Sequence, residues 1–174
     1  MNLMELIKSD LSRYRSVNTN KIDLSEPSLY VILLYRIGKS IRDNNSKLLN
    51  NILNIPFLLL YIPLSVITGI HIPRGATIGP GIRIYHYGCI IVNPLSVIGK
   101  NCTIRHGVTI GNRHADDDVP VIGDNVVIGA GAKILGNIKI GDNVHIGANA
   151  VVLYDVPDNN IAVGIPAKNS QRKS

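Results

Sequence analysis

From Ile122 to Val152 the chain reads Ile122-Gly-Asp-Asn-Val-Val-Ile128-Gly-Ala-Gly-Ala-Lys-Ile134-Leu-Gly-Asn-Ile-Lys-Ile140-Gly-Asp-Asn-Val-His-Ile146-Gly-Ala-Asn-Ala-Val-Val152. A branched aliphatic residue stands at every sixth position. The register extends backwards through Ile98, Ile104 and Ile110, and before them through Ile72, Ile78, Ile84 and Ile90. Four residues after most of these comes a small or branched side chain, as at Ala76, Ile82, Cys102, Val126, Ala132 and Ala150. A period of six is not helical, but it is a multiple of two, the side-chain period of a strand. Ala76 and Ile78 then face inward together while Thr77 faces out. Segments such as Gly79-Pro80-Gly81, Gly99-Lys100-Asn101 and Gly123-Asp124-Asn125 turn corners, with positive φ where needed. Short flat strands joined by tight corners form a parallel β-solenoid. Each coil buries its isoleucine layer on the next, about 4.8 Å away.

The composition fits such a prism. Hydrophobic residues make up 45% of the 174 residues and charged ones 17%, which excludes a disordered chain. Aromatics are only 5%, with no Trp and one Phe, so the core is aliphatic. Two cysteines, Cys89 and Cys102, exclude a disulfide-rich scaffold. The net charge of +6 is dispersed, and no basic run with interleaved aromatics occurs, so nucleic-acid binding is not expected. Met1-Asn2-Leu3-Met4-Glu5 is not a basic segment leading into an apolar one, and the cytoplasm is the expected compartment.

Composition changes near residue 70, giving a helical N-terminal region (1–70), a solenoid (71–168) and a tail (169–174). Leu3, Leu6, Ile7 and Leu11 recur at helical spacing, with Asp10 and Arg13 assigned to the opposite side. Ser28 to Arg42 repeats the pattern after a helix-start segment, Ser25-Glu26-Pro27. Ile52 to Ile70 carries no charge, and Pro56 and Pro63 are expected to break it. A core helix pair or subunit contact is the plainest reading of this stretch. A surface-lying membrane contact and a true span are the alternatives.

The sequence resembles the hexapeptide-repeat acyltransferases. Ile128-Gly-Ala-Gly-Ala-Lys, the following Ile134-Leu-Gly-Asn-Ile and Val163-Gly-Ile-Pro-Ala-Lys168 are similar to serine acetyltransferases. Thr103-Ile-Arg-His-Gly-Val-Thr-Ile-Gly-Asn-Arg113, with Ala115-Asp116, resembles the colanic-acid biosynthesis acetyltransferases, as do Arg36, Leu48-Leu-Asn-Asn-Ile and Leu58-Leu-Leu-Tyr61. The resemblance implies an all-β left-handed parallel β-helix with three hexads per coil, behind a short α-helical N-terminal region. It also implies acetyl-CoA as donor and a homotrimer or dimer of trimers with sites shared between subunits.

His86 and His106 are each the third residue of their hexads, 20 rather than 18 residues apart. With three hexads per coil they stack on one outward corner, the two extra residues being assigned between Ile90 and Ile98. Acyl transfer from a thioester to a hydroxyl needs a base with a pKa near neutrality, which imidazole supplies. It also needs donors for the oxyanion, most simply backbone N–H groups at a Gly-rich corner. In serine acetyltransferases the base closes an Ile-Gly-x-Gly-Ile-x-x-x-His motif. Ile78-Gly-Pro-Gly-Ile-Arg-Ile-Tyr-His86 matches it without a gap, which assigns His86 as general base. His106 stands where relatives often have Gln and is assigned to substrate contact. Two departures follow: the carboxylate partner of the base falls on His71, and the carboxylate preceding the base is Tyr85. The second removes a feature associated with free serine and points to a sugar hydroxyl, with Tyr85 in substrate contact.

Asn112 to Pro120 interrupts the hexads as a projecting loop. Its Arg113 and His114 are assigned to the acceptor, from a neighbouring subunit. Gly111, Asn112, Ala130 and Ala148 match small positions along which the family lays coenzyme A; His145 and Lys168 are phosphate candidates. No metal is expected, because the histidines lack the spacing of the related γ-type carbonic anhydrases. The expected activity is O-acetylation of a sugar hydroxyl in a surface polysaccharide or its lipid-linked precursor, at the inner face of the membrane. The rivals are L-serine O-acetylation, which lacks the usual C-terminal Ile in Gln171-Arg-Lys-Ser174, and a non-catalytic scaffold.

Overall fold

A computed structural model describes residues 1–16 and 19–171, so the terminal Arg172-Lys-Ser reading lies outside the described residues. Three helices precede the solenoid: α1 (Leu3–Arg13), α2 (Pro27–Arg42) and α3 (Lys47–Thr68). The solenoid is a left-handed parallel β-helix with three faces. One face stacks β1 (Ile70–His71), β4 (Ile90–Val92), β7 (Thr109–Gly111), β10 (Lys133–Leu135) and β13 (Val151–Val152). A second stacks β2 (Thr77–Ile78), β5 (Val97–Ile98), β8 (Val121–Ile122) and β11 (Lys139–Ile140). The third stacks β3 (Arg83–Tyr85), β6 (Thr103–Arg105), β9 (Val127–Ile128), β12 (His145–Ile146), β14 (Asn160–Gly164) and β15 (Ala167–Gln171). β15 turns back antiparallel on β14, so ordered strand runs past residue 168.

The expected isoleucine grid is the core. Ile78, Ile98, Ile122 and Ile140 pair in register up one face, and Ile84, Ile104, Ile128 and Ile146 up another. Nearly all of these side chains are shut off from solvent. Each removes its apolar surface from water against the same residue type one coil away. At one corner Asn101, Asn125, Asn143 and Asn159 all take the left-handed conformation, with φ between 56° and 59°. Their side-chain amides bond coil to coil at 3.1–3.3 Å. Asn tolerates this conformation better than other non-glycine residues because its short amide satisfies local partners.

Three expectations need correction. First, the two extra residues lie immediately after His86. Ile91 pairs with Thr109 and Val92 with Ile110, so Val92 takes the grid place assigned to Ile90. The corner from Ile84 to Val92 is therefore two residues longer than its equivalent from Ile104 to Ile110. Second, Asp10 does not face solvent. It is the fully buried residue of α1, paired with Arg36 of α2. Arg36 Nε and Nη2 donate to it at 2.8 and 3.1 Å, and the N–H groups of Gly81 and Ile82 donate at 2.9 and 3.1 Å. Arg36 also donates to the carbonyls of Ile78 and Gly79, both at 2.6 Å. One buried ion pair thus staples two helices to the first solenoid corner. Arg13, also assigned outward, donates to the Asn101 carbonyl and to Thr103.

Third, Pro56 and Pro63 do not break the apolar stretch. α3 runs through both as one 22-residue helix ending on Gly69, whose φ of 64° is the left-handed cap that glycine adopts without strain. Both prolines lie on its exposed side. Nor is the stretch a core helix. Its inner side carries Phe57 and Tyr61, stacked at 5.4 Å, while the Tyr61 hydroxyl bonds both backbone groups of Ile72. Leu64 and Thr68 also pack inward, and the outer side is exposed. Val31, Ile32 and Tyr35 of α2 close the first end of the prism, and the β14–β15 hairpin folds over the other.

Candidate active site

His86 follows β3 and His106 follows β6. The pairing of Tyr85 with Arg105 carries the two histidines into register one coil apart. Their rings meet edge to face, with centroids 6.0 Å apart and planes at 60°. Both are exposed on the corner between the third and first faces. His86 has a φ of 63°, and the lengthened corner continues through Gly88 at 115° and Cys89 at 52°. Successive residues in the left-handed half of the map mark a bend that the surrounding structure must hold in place. Here the Gly107 N–H donates to the Gly88 carbonyl at 2.9 Å, and the Ile90 N–H donates to the Gly69 carbonyl at 2.9 Å. Lys133 Nζ donates to the Gly107 carbonyl at 2.5 Å, placing a cation beside the histidine corner.

The same column continues upward. Register carries His106 onto Ala130 and Ala130 onto Ala148, and the Asn149 N–H donates to the Ala130 carbonyl at 2.8 Å. Two imidazoles are thus followed by two methyl side chains along one edge of the prism. On the first face, toward its far corner, a groove of about 280 Å³ is lined by His71, Ile91, Asn93, Thr109, Gly111, Asn112 and Leu135. His145 lies on β12 on the third face, and Lys168 is exposed on β15 opposite Val163.

Arg113 and His114 are elsewhere in the chain's own fold. Their loop leaves β7 at the corner beyond the first face, so the width of that face separates them from His86. Asp118 ties the loop down by accepting from the N–H groups of His114 (3.1 Å) and Asn137. One of the three aspartates expected to project is therefore an anchor. His71 does not orient His86: its Nδ1 lies 3.5 Å from the Tyr61 hydroxyl, and the ring touching His86 is His106.

Sequence reading missed Lys133 and Arg83. Arg83 is buried, with its guanidinium 3.8 Å from the Tyr14 ring centroid and 4.6 Å from that of Tyr85. It holds Tyr85 beside the histidine corner through stacking on the ring face. The available signal was a charged residue at an outward hexad position that α1 covers.

The family models for bacterial transferase hexapeptide (six repeats) and for the hexapeptide repeat of succinyl-transferase match residues 120–153 and 96–113. An Escherichia coli K12 protein named as the colanic acid biosynthesis acetyltransferase WcaB is 44% identical over 141 residues, covering 79% of this chain and 87% of that one. The crystal structure of Neisseria gonorrhoeae serine acetyltransferase superposes with a TM-score of 0.82 at 33% identity, over 98% of this chain and 66% of that one. A serine acetyltransferase solved in complex with CoA superposes at 0.79 with 34% identity, over 97% and 69%. The chain belongs to the hexapeptide-repeat acyltransferases, in the group that includes serine acetyltransferases and the colanic-acid acetyltransferase, and is an acetyltransferase that uses acetyl-CoA.

Proposed function

We propose that the protein O-acetylates a sugar hydroxyl of a surface polysaccharide or its lipid-linked precursor, with His86 as general base. The observation carrying this reading is the outward corner itself. Two stacked imidazoles are flanked by exposed Tyr85 and Tyr87 and continue into a track of small residues. The acceptor hydroxyl gives its proton to His86 as its oxygen attacks the thioester carbonyl. The tetrahedral intermediate collapses with loss of the sulfur, which takes the proton back to leave free thiol and an O-acetyl ester. His106 contacts the acceptor. Ala130 and Ala148 are short enough for the pantetheine arm to lie against the edge, and the groove at Gly111 and Asn112, across the first face, is assigned to the donor as well. His145 and Lys168 are assigned to the donor's phosphates.

Tyr85 and Tyr87 favour a sugar. Aromatic faces stack on the C–H faces of pyranose rings, whereas an amino acid zwitterion calls for a charged partner beside the base. Arg113 and His114 reach the acceptor from a neighbouring copy, which requires a trimer. The second reading is serine O-acetylation, favoured by the gapless Ile78-to-His86 motif and by the superposition on serine acetyltransferase. Incubating the protein with acetyl-CoA and either serine or oligosaccharides, and following free thiol, separates the two. Saccharide-dependent release abolished in His86→Asn supports the proposal. Rapid turnover on serine alone overturns it.

A further inference from the structure

α3 is apolar on both sides. Its packed stripe holds Phe57, Tyr61 and Leu64 together with Asn54, Ser65 and Thr68, while the face turned away from the protein is Leu48, Ile52, Ile55, Leu59, Val66 and Ile67 with their neighbours. Leu59 is 70% exposed and Ile67 78%. At 100° per residue, this face spans about 180° of the helix circumference and about 30 Å of its length without a charge. A groove of about 300 Å³ on it is lined only by Ile55, Leu58, Leu59, Ile62 and Pro63.

We infer that this face is a membrane-docking surface on which α3 lies in the plane of an anionic lipid bilayer. The width of the arc carries the choice of occupant. A partner helix covers a stripe of about 100°, so a second copy packing helix to helix would leave much of the arc in water. Lipid covers all of it. The charges at the start of α3 agree. Arg42 and Lys47 are exposed there, with Lys39 paired to Asp43. No acidic residue lies on the helix. Basic residues edging an apolar helix face suit anionic headgroups. The helix is long and apolar enough to cross a membrane, but Phe57, Tyr61 and Ser65 hold its inner side to α2 and the solenoid. It lies on the bilayer and does not thread it.

The docked face is linked to the chemistry. A Cβ built on Gly69, the cap of α3, would meet the Cys89 nitrogen at 3.0 Å and the Gly88 Cα at 3.3 Å, the bend that follows His86. Docking therefore anchors the end of α3 that adjoins this bend. The meaning of that placement for a lipid-linked acceptor rests on the sugar reading; the docking does not.

The chain lacks Trp, so Leu59→Trp installs a single reporter on the arc, and Tyr154→Trp a control on the solenoid. Each is mixed with vesicles of phosphatidylcholine containing about one-third phosphatidylglycerol, with and without brominated acyl chains. The expected result is a blue shift and bromine quenching for Leu59→Trp only, with flotation of the wild type. Leu59→Glu combined with Val66→Glu should lower flotation about tenfold or more while far-UV circular dichroism stays unchanged. Emission from Leu59→Trp that ignores vesicles overturns the inference. So does emission already blue without lipid and dependent on protein concentration, which assigns the face to a second copy. Thiol release with a soluble saccharide reads the acceptor separately, so either conclusion can fail alone.

Discussion

Replacing Asp10 with Ala removes an acceptor of four hydrogen bonds from a site closed to solvent. The Gly81 and Ile82 N–H groups then lose their only named acceptor, and the Arg36 guanidinium keeps its two carbonyl contacts but no counter-charge. An orphaned buried donor costs about 1–3 kcal/mol, and breaking a buried ion pair from one side about 3–5 kcal/mol. These costs overlap, because the same carboxylate serves all four bonds. Asp10→Ala should therefore lose about 3–5 kcal/mol, which for a chain of this size lowers Tm by roughly 6–20 °C. Arg36→Met alone leaves the carboxylate with the two N–H donors and should cost less. Asp10→Ala combined with Arg36→Met should be more stable than Asp10→Ala, since no uncompensated charge stays buried. Thermal and urea unfolding followed by far-UV circular dichroism measure all three. A loss under about 1 kcal/mol for Asp10→Ala, or a double variant matching the sum of the singles, refutes the staple.

His86→Asn keeps a residue suited to φ 63° while removing the base, so kcat should fall by about two to four orders of magnitude with Tm unchanged; a fall under tenfold removes His86 from proton transfer. Two glycines near the proposed donor path should separate stability from binding. In Gly111→Ala the new Cβ has room, Leu135 and Thr109 lying 3.8 and 3.9 Å away, so Tm should hold while KM for acetyl-CoA rises. In Gly129→Ala it would sit 2.5 Å from the Ala148 nitrogen, and Tm should drop by several degrees. A thiol reagent at pH 8 should label one cysteine per folded chain, exposed Cys89, and slow acetyl transfer. Burial pushes the Cys102 thiol up to about 11 and keeps it inert until denaturant is added. Burial likewise pushes the Tyr35 phenol up to about 12. Both groups ionise in the unfolded chain before the folded one, so stability is full below pH 9 and should decline as pH rises toward 11; a flat urea midpoint between these values contradicts that.

The solenoid was legible because each coil repeats the same physical demand, and Ile or Val in six-residue register states it thirteen times. The stacking of His86 on His106 followed from that count, since strand pairing propagates register into the corner. What the count does not contain is where a corner absorbs spare residues. Ile90 and Val92 are both inward and aliphatic, so either satisfies the pattern, and pairing with Ile110 alone decides. Asp10 was misread for a related reason. Periodicity sorts side chains by polarity, and an acid whose partners are an arginine 26 residues away and two corner N–H groups still looks like a solvent-facing residue. On α3 the rule failed in the opposite sense, because most of the apolar residues are the exposed ones. Arg113 and His114 were singled out by the loop that interrupts the hexads, while their distance from His86 within one chain depends on a corner that the hexads leave blank.

The lids of the prism have one more consequence. Stacked coils are a template at both ends: a bare terminal coil offers unpaired backbone and a dry aliphatic surface to any identical coil it meets. Val31, Ile32 and Tyr35 stop that at one end, and the returning hairpin stops it at the other. Stripping away α2 would thus bare one end only, and with the hairpin still closing the other, two copies could stack end to end but no further.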